Sequence, residues 1–104
     1  MREISKYKVA KVLQLKDGSS IVLLDMLAAP ASVPLADREC NIYRVDANGR
    51  VVWRVSAGSP IHAGASFTGI GFSTDGRLRA YRWDGVEYEV DEITGMAVPL
   101  RFTK

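Results

Sequence analysis

From Asn41 onward the chain alternates apolar and polar residues with period two, broken only by short turns rich in Asp and Gly. That periodicity sends successive side chains to opposite faces, as half-buried β-strands require. Apolar spacing of the helical kind does not persist anywhere for three turns. Asp46-Ala47-Asn48-Gly49 suits a type I turn closed by a left-handed Gly49. It sets Val45 opposite Val51, Tyr43 opposite Trp53 and Asn41 opposite Val55, with Arg44 and Arg54 on the other face. Ser73-Thr74-Asp75-Gly76 repeats the turn and pairs Phe72 with Leu78, Ile70 with Ala80, Gly69 with Tyr81 and Phe67 with Trp83. A Gly opposite Tyr81 leaves the ring room to cover bare backbone. Asp84-Gly85 reads as a two-residue hairpin turn, setting Trp83 against Val86, Tyr81 against Tyr88 and Arg82 against Glu87. The last turn lies in Asp91–Gly95, and Pro99 marks the strand after it as an edge strand.

The first forty residues follow the same grammar less cleanly. Tyr7, Val9, Leu13 and Leu15 alternate with polar neighbours, although Lys11 intrudes on the apolar face. Asp17-Gly18 then turns the chain into Ile21-Val22-Leu23-Leu24. The sum is about eight strands and no helix. The expected fold is all-β, one antiparallel meander closed into a small barrel or sandwich. Two connections, 26–39 and 56–66, are too long for simple turns, and such loops often carry function.

The 104 residues allow one domain, spanning 1–104, and the net charge of +2 argues against a polybasic tail as its main business. The lone Cys40 makes no intrachain disulfide. Arg2, Lys6, Lys8 and Lys11 interrupt any leader-type apolar run at the N-terminus. Pro30 and Pro34 interrupt the least polar stretch, 26–36, which is also far too short to cross a membrane. A cytoplasmic protein without membrane contact is the expectation.

Tyr43-Arg44-Val45-Asp46 reappears 45 residues later as Tyr88-Glu89-Val90-Asp91, and Gly49 matches Gly95 with one insertion. Four strands per period of that length is the pattern of a β-propeller blade. The bland alternative is two hairpins that converged on one turn chemistry. The turn and aromatic positions from Asn41 to Gly95 include Val52-Trp53, Phe67-Thr68-Gly69-Ile70, Asp75-Gly76-Arg77-Leu78 and Trp83-Asp84-Gly85. This stretch resembles a set of small, functionally uncharacterised bacterial all-β proteins, and the Asp91–Gly95 turn resembles blade turns of quinoprotein-type propellers. The resemblance implies propeller-blade-like hairpin repeats. It implies no cofactor and no active site, because two blades cannot close a propeller.

No constellation of catalytic residues emerges. His62, the only histidine, sits in a small-residue loop without a nucleophile elbow beside Ser59 or Ser66. That loop also lacks the Lys-Ser/Thr ending of a phosphate-binding loop. Asp84, Glu87, Glu89, Asp91 and Glu92 could pair for acid–base work or hold calcium. Their positions are better explained by turns and by an exposed Arg82–Glu87 cross-strand pair, contributing roughly 0.2–1 kcal/mol. Arg77, Arg79 and Arg82 beside Tyr81 and Trp83 raise single-stranded nucleic acid, but residues 41–104 carry eight basic and seven acidic groups, too balanced for that role. Tyr43, Trp53, Tyr81, Trp83 and Tyr88 read as core. No catalytic residue, metal ligand or cofactor is therefore assigned.

What remains is the apolar, proline-interrupted run 26–35, which either caps a sheet or meets a partner. The favoured reading is a non-catalytic protein-binding module, self-associating as a homodimer, with Leu27, Val33 and Leu35 in its contact surface. The alternative is a small-molecule-binding protein or minor enzyme. Its pocket would lie between loops 26–39 and 56–66, with His62, Arg79 and Tyr81 as polar handles. Weak nucleic-acid binding ranks third.

Overall fold

The computed structural model describes residues 7–27 and 29–102, with Phe102 described by its backbone alone. Arg2, Lys6 and Ala28, which entered the sequence reading, lie outside the described residues. Among the described residues eight strands form: β1 (Val9–Gln14), β2 (Ser20–Leu24), β3 (Ile42–Val45), β4 (Val51–Arg54), β5 (Phe67–Phe72), β6 (Leu78–Arg82), β7 (Val86–Val90) and β8 (Ala97–Phe102). Within the same residues a short helix, α1 (Leu35–Glu39), breaks the expectation of none. Pro34, with φ of −55°, starts it, and proline's fixed φ suits a first turn that lacks intrahelical partners anyway.

The strands do not make one continuous meander. They form two four-stranded antiparallel sheets, ordered β1-β2-β3-β4 and β5-β6-β7-β8, and among the described residues no barrel closes. The connection 55–66 carries the chain from one sheet to the other. The sheets share one apolar core: Ile21, Leu23, Ile42, Trp53 and Val55 from the first meet Phe67, Ile70, Leu78, Ala80, Tyr88, Val90 and Ala97 from the second. Polar links join the sheets at their margins as well. Fully buried Asn41 donates to Leu24 O and Phe67 O and accepts from Phe67 N at 2.7–2.9 Å. At the opposite margin Ser56 N donates to Gly95 O, and Ala97 N donates to Ser56 O.

A second apolar cluster lies on the outer face of the first sheet, where Val22, Leu24, Tyr43 and Val45 are covered by Met26, Ala29, Val33 and Tyr7. The proline-interrupted run is thus mostly a cover for that face. Arg54 ties it down through Asp37 at 3.0 Å, and Tyr7 Oη donates to the same carboxylate.

The turns at Gly49 and Gly76 behave as expected. Gly49 and Gly76 take φ of +83° and +82°, and each donates its N–H to the residue three back, Asp46 or Ser73. Pairs Val45–Val51, Phe72–Leu78, Ile70–Ala80 and Gly69–Tyr81 form as expected. Beyond these, three registers shift by one. Tyr43 faces Arg54 and Trp53 faces Arg44, because β4 carries Val52 as an extra residue. Tyr43 and Trp53 therefore stand on opposite faces of their sheet. Phe67 faces Arg82 instead of Trp83, because Thr68 is extra in β5. The Trp83–Gly85 turn has three residues, not two, so Tyr81 faces Glu87 and Ala80 faces Tyr88. Arg82 and Glu87 are consequently not a cross-strand pair. They lie on opposite faces, and both are buried.

Candidate functional site

Both long connections reach the same end of the molecule, where the Trp83–Gly85 turn also lies. Between them is a cleft of about 210 Å³ whose walls include Met26, Leu27, Arg38, His62, Ser66 and Trp83. The His62 and Trp83 rings meet edge to face with centroids 6.2 Å apart. The Arg38 guanidinium donates to the carbonyls of Met26, Ala29 and Pro30, so it shapes the first connection from within.

Three buried or half-buried charges brace these loops, Arg82 and Asp84 against the second sheet and Glu39 one against the other. Arg82 is 3% exposed. Its Nη1 donates to Gly58 O and Tyr88 Oη, both at 2.8 Å, and its Nη2 donates to Glu39 O at 2.7 Å. The guanidinium also lies 4.6 Å from the Phe67 ring centroid and 5.3 Å from that of Tyr88, where ring quadrupoles favour a desolvated cation. Asp84 accepts from Ile61 N at 2.8 Å and from Val86 N at 3.3 Å. Glu39 accepts from Gly64 N at 2.8 Å. The loop backbone is thereby pinned at Gly58, Ile61 and Gly64.

On this braced backbone stand large exposed apolar side chains: Leu27, Leu35 and Ile61 are more than half exposed and Trp83 is 49% exposed. Leu27 and Trp83 border the cleft directly. Leu35 Cδ1 would lie 3.6 Å from a Cβ added at Gly64, on the cleft wall. The expectation that Trp83 belongs to the core is overturned.

The structure brings together only some of the residues expected to form a site. Leu27 and His62 share the cleft and Leu35 adjoins it. Val33 packs into the covering of the first sheet. Arg79 and Tyr81 stand on the outer face of the second sheet and do not line the cleft; Tyr81 is 40% exposed there, its ring over Gly69, so it is not core. Arg38, Ile61, Trp83 and the bracing Arg82 were missed. For Arg82 a signal existed. Leu78, Ala80 and Arg82 share parity, so pairing Leu78 and Ala80 with inward residues turns Arg82 inward too.

The acidic residues of the second sheet are absorbed structurally. Glu87 is 3% exposed and receives Arg101 Nε at 2.8 Å and Arg79 Nη1 at 3.5 Å. The Arg101 hydrogen bond holds its carboxyl below the ordinary range, against the opposing effect of desolvation, with smaller help from Tyr81 and Arg79. Asp46 and Asp91 accept from backbone N–H groups of their own turns. Among the described residues, no group of three or more His, Cys, Asp or Glu is placed to hold a metal ion. No helix of the described residues is long and apolar enough to cross a membrane.

A larger hollow of about 510 Å³ at another part of the surface is bordered by Leu15, Asp17, Arg44, Phe72 and Glu92. Two of its charges, Arg44 and Asp17, are already engaged. Arg44 bonds Asp17 at 2.8 Å and Glu92 O at 2.6 Å. Hydrogen bonds from Ser19, with Arg44 in support, hold the Asp17 carboxyl below its usual range. The cleft between the connections is the better candidate, because exposed apolar groups surround it.

No curated protein and no solved structure matches this sequence. Residues 4–102, nearly the whole chain, match a domain of unknown function, DUF7957. An all-β chain of two meandering sheets, with its long connections gathered at one end, therefore belongs to the DUF7957 family.

Proposed function

We propose that this domain is a non-catalytic protein-binding module whose contact surface is the loop end, and that a second copy of the chain is a partner. The observation that supports it is the ring of exposed Leu27, Leu35, Ile61 and Trp83 around the cleft, on backbone pinned by Arg82, Asp84 and Glu39. Apolar and aromatic anchors held rigidly lose little entropy on binding, and such groups dominate interface energies. Knobs and a hollow on one surface also suit a two-fold contact, in which each copy offers both.

Sedimentation of the wild type over a wide concentration range should show a monomer–dimer equilibrium, and Leu27→Ser with Trp83→Ser should abolish it. A wild type that stays monomeric at millimolar concentration, or a dimer indifferent to both substitutions, overturns the self-association reading. The blade-like relation of the two sheets belongs to the same proposal. Tyr43 and Tyr88 lie on the third strand of their respective sheets, and Asp46 and Asp91 open the turns that follow. Their side chains differ in role, since Tyr88 enters the shared core and Tyr43 the outer cluster.

A second reading, small-molecule binding, draws support from the cleft itself, which lies between the two connections and includes His62. A ligand-induced rise in melting temperature that His62→Ala removes would favour it. A metabolite screen without a hit would count against it.

A further inference from the structure

Arg82 is where the two long connections meet. One carbonyl it binds, Glu39 O, closes the first connection at the end of α1, and the other, Gly58 O, belongs to the second. Its third acceptor is Tyr88 Oη, on β7. The side chain is buried against Phe67 and Tyr88, and its Nε has no acceptor. A cation in that position has no spare solvation. Withdrawing either carbonyl leaves a charged donor unpaired in a low-dielectric setting, which is costly. Once one carbonyl has left and water has entered, the other loses most of its reason to stay. The Gly64–Glu39 hydrogen bond joins the connections a second time, side chain to backbone.

We infer that the two long connections open and close as one unit, latched by the Arg82 guanidinium, so that both walls of the cleft move together. Separate surface loops ordinarily fluctuate independently. The inference concerns motion alone and holds whether or not the loop end binds a protein. Failure to dimerise would leave it untouched.

Amide hydrogen exchange on the full chain tests it. In the wild type at sub-denaturing urea, Cys40 N–H, bonded to Ala36 O, reports the first connection. Ala65 N–H, bonded to His62 O, reports the second. Both should exchange through one opening, with equal opening free energies and equal urea slopes. Tyr88→Phe removes one acceptor and keeps the ring. It should accelerate both amides by the same factor, roughly three- to tenfold, while amides of β2–β3 and β6–β7 that exchange through global unfolding accelerate by no more than the loss in global stability and keep their own, larger urea slope. Arg82→Met should accelerate both further. Different openings for Cys40 and Ala65 in the wild type would overturn the inference. So would an effect of Tyr88→Phe on one connection only or on neither, or a wild-type urea slope for Cys40 and Ala65 as large as that of the sheet amides.

Discussion

Gly95 shows how one residue can be fixed twice. Its φ is +79°, and a Cβ there would lie 2.6–2.9 Å from three atoms of the Trp53 ring. That ring cannot step aside, since Trp53 Nε1 donates to Glu92 O at 2.8 Å. Gly49 has a similar φ of +83° with open space around it. Gly49→Ala should therefore cost only the left-handed penalty, about 1–2 kcal/mol. Gly95→Ala should cost about 3 kcal/mol or more, because overpacking adds to it. Equal losses in urea unfolding would refute the packing argument. Asn41→Ala strips partners from three buried backbone groups and should cost about 2–4 kcal/mol by the same measurement. Glu87 supplies a pH dependence. Its folded carboxyl titrates below the unfolded value of about 4.3, because Arg101 and its neighbours favour the charged form. The stability it contributes is complete above the ordinary carboxylate range and is lost as pH falls through the lower folded value. Glu87→Gln should flatten the acid limb of the stability profile. An unchanged slope would show that the carboxylate is not linked to folding.

At the scale of elements, the four edge strands share one device. Each carries a single extra residue against its partner: Ala10 in β1, Val52 in β4, Thr68 in β5 and Leu100 in β8. Bulges twist an edge away from further pairing. In β8 a proline adds to this. Ala97 N–H points outward to Ser56 O, so the nitrogen of Pro99, two residues on, faces the same edge without a hydrogen. Pro99→Val restores a donor there and should raise light scattering with time and concentration; a variant as monodisperse as wild type would show that the bulge alone suffices. These devices also mark how far the sequence could be read. Turn residues declare themselves chemically, so Gly49, Gly76 and the pairs next to them were legible. A bulge inserts an ordinary residue such as Val52 or Thr68, with no compositional mark. The registers at the Gly49 and Gly76 turns were therefore right beside the turn and wrong beyond the bulge, whereas the Asp84-Gly85 register was wrong from the turn itself, which has three residues where two were expected. In β1 the extra Ala10 sets Val9, opposite Leu24, on the other face from Leu13, opposite Ile21, whereas Lys11 keeps the face of Leu13. At the candidate site, Leu27 and His62 were legible because long loops stand out. Arg82, Asp84 and Glu39 were not, since bracing a loop is a matter of three-dimensional proximity.

For the whole molecule, the shared core decides what can stand alone. The first sheet contributes Ile21, Leu23, Ile42, Trp53 and Val55, and the second cannot bury its inner face without them. A fragment of residues 65–104 should therefore lack a cooperative thermal transition by circular dichroism and regain one when mixed with residues 1–64. An independently melting fragment would mean two units. The outer faces differ as well. The first is roofed by the proline-interrupted connection. The second carries a ladder of Arg77, Arg79 and Arg101 against Glu87 and Glu89, in which the exposed Arg77–Glu89 pair contributes little to stability while Glu87 is buried.

The two tryptophans divide these regions between them. Trp53 is 8% exposed and wedged over Gly95 between the sheets, whereas Trp83 is 49% exposed beside His62 at the cleft. The protein thus contains two intrinsic fluorophores in contrasting surroundings, one emitting from an apolar interior and one from a wetted rim. Trp83→Phe leaves a reporter of the core, Trp53→Phe a reporter of the loops, and the difference between their spectra separates unfolding from events at the loop end without any added label.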